Sequence, residues 1–459
     1  MKSPSTAPAP NARALARRMY RARMSEEKRK ETNRRRSERR RQQQKKQLLE
    51  ATFNLLVDSL LEESVETVLQ GEQHQGTTLS ISSLDSEQIC LCKDHENFSF
   101  LVTAISKYLP GCDTTEDFLE IVTCDINDIK CMAGHCLDCN EPIVDILYLL
   151  ISPDNINRKV KYKQLQEAHI ELLVLHENTV GQLISIASEK ASAGYKFHHY
   201  TNKVQQIAFE NNRANSSVFE VFLHIDYASR YADEVTIFTA IVYAGENHLL
   251  LTLIADDATE DYCSTITFLK AVIKELKEKF PTVMEIKIVS ADGNASHFKS
   301  KSNLGNLVYY QQDYEINTIS WDFFALYHGK GEIDFVGNSI KNYVKEKADL
   351  QNVIIDSAEK FYTYAKDHED ISVIYVKREE LVEDCEVLKA RTFSFPNIEG
   401  LENLHHFEVV CGTTPYDMQL KCWPTSKCEE DFEIVIDYTL YEYDVLEEST
   451  NNKSVISAD

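Results

Sequence analysis

Three short apolar runs constrain the fold most, because each run leads into a carboxylate. The runs are residues 218–225, 284–290 and 318–325, and the carboxylates that follow them are Asp226, Asp292 and Asp334. Runs of four to eight β-branched and aromatic residues, bounded by Gly, Asp or Asn, predict β-strands. Carboxylates that meet at one edge of a sheet commonly hold divalent metals for phosphodiester chemistry. The sequence therefore predicts a metal-binding sheet edge.

The order of the elements around these runs predicts a fold class. We expect strands at 218–226, 234–244 and 248–255, a helix at 263–280, a strand at 284–291, a helix at 294–308, a strand at 318–325 and a helix at 332–348. This is the order of an RNase H-like mixed sheet with flanking helices. In that fold two carboxylates lie on neighbouring strands, and a later helix supplies the third. Asp226, Asp292 and Asp334 occupy those places, although an Asp at a strand end can also serve only as a cap.

The predicted site contains hard oxygen ligands, which favour two Mg²⁺ or Mn²⁺ ions over zinc. Such an ion pair activates a water or a 3′-hydroxyl and stabilises the leaving oxygen. Lys299 and Lys330 lie close in sequence to two of the carboxylates, so we expect them to contact a nucleic-acid backbone. His328 precedes Asp334 by six residues and is expected to assist proton transfer or to hold a phosphate. The alternative for His328 is a packing role.

A cysteine cluster precedes this core. Cys124, Cys131, Cys136 and Cys139 are separated by six, four and two residues. Four thiolates ending in a C-x2-C pair suit a structural Zn²⁺ site, and the alternative is four reduced thiols in a loop. One of these ligands could also be supplied by Cys90, Cys92 or Cys112. We interpret His198 and His199, which lie farther along the chain, as surface or packing residues. We interpret the twelve cysteines as reduced thiols or metal ligands rather than as a disulfide framework.

The N-terminal arm is strongly basic, although the whole chain has a net charge of −24. Residues 1–46 contain seventeen Lys and Arg against four Glu, and the densest cluster is Arg34, Arg35, Arg36, Arg39, Arg40 and Arg41. Such a cluster favours binding to the nuclear import machinery or to nucleic-acid phosphates, with a solvated tail as the alternative. The sequence has no secretory signal and no apolar run long enough for a membrane span. These features predict a nuclear protein whose acidic body offers DNA no long-range attraction.

The remaining chain divides by composition. The predicted regions are a basic disordered or helical arm (1–46), an amphipathic helix and linker (47–89), a helical region with the cysteine cluster (90–217), the RNase H-like core (218–348), a small C-terminal α+β extension (349–446) and a disordered tail (447–459). Within the helical region, apolar positions that recur at three and four residues predict one helix over 159–186. The sequence leaves the oligomeric state open.

Three stretches of the core resemble a group of transposase-derived proteins that is abundant in invertebrate genomes. They are LHIDYA at 223–228, SADGNASHFK at 290–299 and HGKGEID at 328–334. The related proteins show V-D-F-A, S-D-G-A-x-S-Q-F-K and H-G-K-G-x-x-D-G-x-G-G at the matching places. Phe335 and Asn338 stand where those proteins have glycine, so the helix start near Asp334 could be shifted. The resemblance implies a DDE/D-type polynucleotidyl transferase core over roughly residues 120–400.

The sequence thus leads to a transposase-like hypothesis, in which the core cleaves or joins DNA phosphodiesters with two divalent metals. The first alternative is a catalytically inactive nuclear protein, derived from a transposase, that binds DNA or chromatin. The second is a nuclease of the same fold that acts on RNA or on DNA–RNA hybrids. Metal binding by the three Asp residues separates the hypothesis from the first alternative.

Overall fold

The computed structural model describes residues 92–440, apart from 140–141, 167–171, 232–234, 257–259, 291–296, 327, 330 and 413–415. The predicted arm, the amphipathic helix with its linker and the C-terminal tail lie outside the described residues. The described chain forms two compact units, one of residues 96–192 and one of residues 92–95 together with 193–440. The predicted region 90–217 is therefore divided between the two units.

The first unit is built from short helices and one β-hairpin. Its elements are α1 (Lys93–Ser106, which begins in the second unit), α2 (Thr115–Val122), α3 (Ile129–Met132), α4 (Ile143–Tyr148), β1 (Lys159–Gln166), β2 (Leu172–Thr179) and α5 (Val180–Lys190). Thr114 caps α2: its hydroxyl accepts a hydrogen bond from the Asp117 amide, and the Asp117 carboxylate accepts one from the Thr114 amide. This capping box fixes the start of the helix.

The prediction of one helix over 159–186 is wrong, because β1 and β2 pair antiparallel over residues 159–179. The lysines at 159, 161 and 163 recur at every second position, which places them on one face of a strand. The side chain of Asn97 in α1 also stabilises the hairpin. Its amide donates to the Leu165 carbonyl at 3.1 Å, and its carbonyl accepts from the Leu165 amide at 2.7 Å. These contacts between distant residues favour the strand over the helix.

The second unit is a mixed α/β structure around a nine-stranded sheet. Its strands are β3 (Glu220–Tyr231), β4 (Val235–Ala244), β5 (Asn247–Asp256), β6 (Glu285–Ser290), β7 (Thr318–Phe323), β8 (Ile371–Tyr375), β9 (His406–Cys411), β10 (Asp417–Trp423) and β11 (Ile434–Thr439). The strand order is β11-β10-β9-β7-β6-β3-β4-β5-β8. The pairs β3–β6, β6–β7 and β5–β8 are parallel, and the other neighbours are antiparallel.

Helices cover both faces of this sheet. The helices are α6 (Lys196–Ala214), α7 (Tyr262–Lys279), α8 (Lys301–Tyr314), α9 (Glu332–Gln351), α10 (Ala358–Ala365) and α11 (Arg378–Thr392). Helices α7, α8 and α11 share one apolar cluster with the sheet, and α9 and α10 share the other. Because both faces are covered, strand β4 is buried along its whole length. This explains why the central strands read as continuous apolar runs rather than as alternating ones.

The sequence predicts a small α+β extension after the core, and in the structure the strands of this extension belong to the core sheet. Strand β8 pairs with β5, and β9 pairs with β7, so both ends of the core sheet are extended by later strands. A disulfide between Cys263 in α7 and Cys385 in α11 joins two helices on one face. It is an exception to the predicted reduced thiols. Among the described residues no helix is long and apolar enough to cross a membrane.

Candidate metal centres

Asp226 lies where β3 stops pairing with β6. The parallel register of these strands ends at Ile225 and Ser290, and Asp226 is the next residue on β3. Its Oδ1 accepts a hydrogen bond from the Tyr227 amide at 2.8 Å. Asp292 follows Ser290 by two residues in the chain and lies outside the described residues.

Helix α9 packs on the sheet face to which Asp226 belongs. Side chains alternate along a strand, so Asp226 and Ala228 point to the same face. At Gly337 of α9 the backbone approaches this face closely, because a Cβ built there would lie 2.6 Å from the Ala228 Cβ. Asp334 precedes Gly337 by three residues and therefore lies on the same side of the helix. The structure thus brings the elements that carry Asp226 and Asp334 together.

The start of α9 holds Asp334 in a defined orientation. Its Oδ2 accepts a hydrogen bond from the Gly331 amide at 3.0 Å, which closes the first turn of the helix. Phe335 is 53% exposed and Asn338 is also exposed, so these larger side chains point away from the sheet. The helix start is therefore compatible with side chains at these two positions.

Carboxylate oxygens are the donors that Mg²⁺ and Mn²⁺ prefer, so Asp226 and Asp334 fit such an ion. Among the described residues, neither belongs to a group of three or more potential metal ligands. The third predicted carboxylate, Asp292, lies outside those residues, so the complete set of three is not described.

His328 belongs to a different group of side chains, which we call the mixed cluster: Cys92, His95, His198 and His328. The four potential ligand atoms lie within 4.8 Å of one another, and such a group can hold a metal ion such as zinc. From the sequence alone, His198 is expected to be a surface or packing residue, and His95 belongs to no predicted site. The local signal was the spacing Cys92-x2-His95, whereas His198 and His328 are distant in the chain.

The surroundings of His95 in the mixed cluster favour the neutral form of its imidazole ring. Burial, and then the proximity of His198 and His328, lowers the pKa of His95 to about 3. Its ring is therefore neutral at physiological pH, and neutral imidazole is the form that ligates metals.

The four predicted cysteines of the first unit, which we call the four-cysteine cluster, also come together. Cys124, Cys131, Cys136 and Cys139 place their sulfurs within 4.8 Å of one another, and this group can hold a metal such as zinc. The Cys124 Sγ lies 3.1 Å from that of Cys139 and 4.0 Å from that of Cys136. Hydrogen bonds from Cys124 and Cys131 lower the pKa of Cys139 to about 4, and contacts with Cys124 and Cys139 raise that of Cys131. The predicted ligand set is confirmed as a group.

Lys299, a predicted phosphate contact, lies in the interior. It is 3% exposed, its Nζ donates to the Glu402 carbonyl at 3.1 Å, and the Phe323 ring centroid is 5.6 Å from Nζ. Burial lowers the pKa of Lys299 to about 7. The other predicted nucleic-acid contacts, Lys330 and the six arginines of the arm, lie outside the described residues.

Part of this chain is similar to a known protein family. Residues 205–414 match the family model of a domain of unknown function, DUF8701. The curated proteins contain no match to this chain, and neither do the solved structures. The matched segment includes Asp226, Asp292, His328 and Asp334, whereas the four-cysteine cluster and the other three members of the mixed cluster precede it.

Proposed function

We propose that residues 218–351 form an RNase H-like core that cleaves or joins DNA phosphodiesters with two Mg²⁺ or Mn²⁺ ions at Asp226, Asp292 and Asp334. The observation that carries the proposal is the strand order β7-β6-β3-β4-β5. In this set the first strand is central, the next two form an antiparallel meander beside it, and the last two are parallel on its other side. This order and these strand directions support the assignment of an RNase H-like sheet.

The position of the carboxylates supports the proposal. Asp226 is on the central strand, where its pairing with β6 ends, and Asp292 follows β6 by two residues. Helix α9, which carries Asp334, approaches the same face of β3 through Gly337. Carboxylates from a central strand, its parallel neighbour and a later helix are the arrangement expected of a two-metal nuclease or transferase.

Two bound divalent ions would supply Lewis-acid stabilisation of the attacking and leaving oxygens. Asp226, Asp292 and Asp334 would hold these ions, and the Gly331 amide would keep the Asp334 carboxylate oriented through its hydrogen bond. The basic arm would contribute affinity for the DNA backbone independent of its sequence. In this proposal the protein acts in the nucleus, which it reaches through the import machinery.

The first test is Mn²⁺ binding by calorimetry on the zinc-loaded full-length chain, with and without duplex DNA. We expect the wild type to bind Mn²⁺. Each of the three substitutions, Asp226→Asn, Asp292→Asn and Asp334→Asn, should abolish this binding. Asp349→Asn is the matched control, because Asp349 lies exposed at the far end of the same helix α9. Loss of binding in the control as well, or absence of binding by the folded wild type even with DNA, would refute the proposal.

The alternative function is binding of DNA or chromatin without catalysis. The burial of Lys299 favours it, because a lysine expected to contact the substrate backbone beside the carboxylates lies in the interior. In that case the chain would bind duplex DNA with strong salt dependence, and binding would be independent of Mn²⁺ and of the three Asp residues. Cleavage assays with DNA, RNA and DNA–RNA hybrids would separate a DNA-specific enzyme from a nuclease of the same fold that acts on RNA.

A further inference from the structure

We propose that Cys92, His95, His198 and His328 bind one zinc ion in a closed, structural site of the second unit. This site is separate from the proposed carboxylate site and does not depend on phosphodiester chemistry. It also gives His328 a role other than the one that the sequence predicted.

The four residues come from three places in the chain. Cys92 lies directly before α1, and His95 is in the first turn of that helix. His198 is in the first turn of α6, and His328 is in the loop between β7 and α9. Their potential ligand atoms nevertheless lie within 4.8 Å of one another.

Two of the distances between ligand atoms are close to those of tetrahedral zinc. The His198 Nε2 lies 3.2 Å from the Cys92 Sγ and 3.2 Å from the His328 Nε2. Zinc bonds of about 2.0–2.1 Å to nitrogen and about 2.3 Å to sulfur place tetrahedral ligands about 3.4 Å apart for two nitrogens and about 3.6 Å apart for nitrogen and sulfur. The observed separations are close to these values.

Packing alone explains the arrangement less well. The ring centroid of His95 is 4.8 Å from those of His198 and His328, so three imidazoles are crowded together. One imidazole nitrogen has either one proton or one lone pair, and it forms one linear hydrogen bond. The His198 Nε2 has two partners at 3.2 Å, and a shared metal accounts for both.

The donor set selects the type of metal. A thiolate and three imidazoles suit zinc, whereas magnesium prefers oxygen ligands. Four protein ligands leave no open coordination position, which is the mark of a structural site rather than a catalytic one. Bound zinc would hold the loop that precedes α9, because His328 is four residues from the first residue of that helix.

The test is the number of zinc ions per purified full-length chain, measured by inductively coupled plasma mass spectrometry. We expect two zinc ions per chain, one at each cysteine-containing cluster. Cys92→Ser and His328→Gln should each remove one zinc ion, and Cys139→Ser should remove the other. His199→Gln is the matched control, since His199 neighbours His198 on α6 but is outside the ligand group, and it should retain both ions.

X-ray absorption at the zinc edge of the wild type avoids variants that fail to fold. Two occupied sites predict five sulfur and three nitrogen ligands shared by two zinc ions. One zinc ion with four sulfurs would overturn the proposal. Unchanged zinc content in folded Cys92→Ser and His328→Gln proteins would overturn it as well.

Discussion

His406 Nδ1 lies 2.6 Å from Asp322 Oδ1, and both side chains are buried where strand β9 pairs with β7. Burial by itself would lower the pKa of His406. The negative charge of Asp322, with hydrogen bonds to Asp322 and Cys428, instead raises it to about 10. The His406 ring is therefore an imidazolium at neutral pH. Ser426 adds a hydroxyl contact to the same carboxylate oxygen.

Removing the carboxylate should destabilise the second unit strongly. In Asp322→Asn the buried imidazolium loses its counter-charge, and we expect the free energy of unfolding at pH 7 to fall by about 3–5 kcal/mol. Urea denaturation measures this change. Asp313→Asn is the control, because the Asp313–Arg391 pair is partly exposed and should be worth about 1 kcal/mol or less. Equal effects of the two substitutions would show that the buried pair has no special role.

The same pair predicts a pH dependence. The folded-state pKa of His406, about 10, is above the value of about 6.5 expected in the unfolded chain. The stabilisation is therefore fully present below about pH 6.5 and is lost as the pH rises towards 10. We expect the difference in unfolding free energy between wild type and His406→Gln to shrink steadily from pH 6.5 to 9.5. A difference that grows over this range would contradict the charged pair.

The contribution of Lys299 to folding stability should change with pH in the opposite direction to that of His406. Burial lowers its folded-state pKa to about 7, whereas the unfolded value is about 10.4. The folded state therefore disfavours the charged amine, and this penalty is largest below pH 7 and disappears towards pH 10. Wild type should gain stability relative to Lys299→Met as the pH rises from 6 to 10, as measured by urea denaturation. If the difference in unfolding free energy between wild type and Lys299→Met did not change with pH, the pKa of Lys299 would not be lowered and its amine would be exposed to solvent.

Gly337 should be essential for the approach of α9 to the sheet. Gly337→Ala would place a Cβ 2.6 Å from that of Ala228, so the helix must shift. We expect a loss of about 1–3 kcal/mol in unfolding free energy, as is typical of overpacking. The second substitution Ala228→Gly should restore part of it. Asn338→Ala, at the exposed neighbouring position, should have little effect, and an equal loss there would indicate a general helix effect.

Much of the second unit could be predicted from the sequence. The apolar runs predicted strands at 234–244 and 318–325, and the structure has β4 at Val235–Ala244 and β7 at Thr318–Phe323. These predictions succeed because runs of β-branched and aromatic residues reflect burial on both faces of a sheet. The helix predicted at 294–308 instead begins at Lys301, where Ser300 provides the cap.

Other features had no local signal. In β1 and β2, apolar residues at three- and four-residue spacing matched a helix, but pairing between the two segments and the contact from Asn97 decided the structure.

The four-cysteine cluster, by contrast, had a local signal. It was predictable because its four cysteines lie within sixteen consecutive residues.

The sequence by itself determined the order of strands and helices over residues 218–348 and the grouping of the four cysteines, because both are expressed in local spacing. Only the tertiary structure decided the neighbours of His328. Cys92 and His198 are 106 positions apart, and His198 and His328 are 130 positions apart. Such contacts form when distant elements pack, and no periodicity of the chain encodes which side chains then meet.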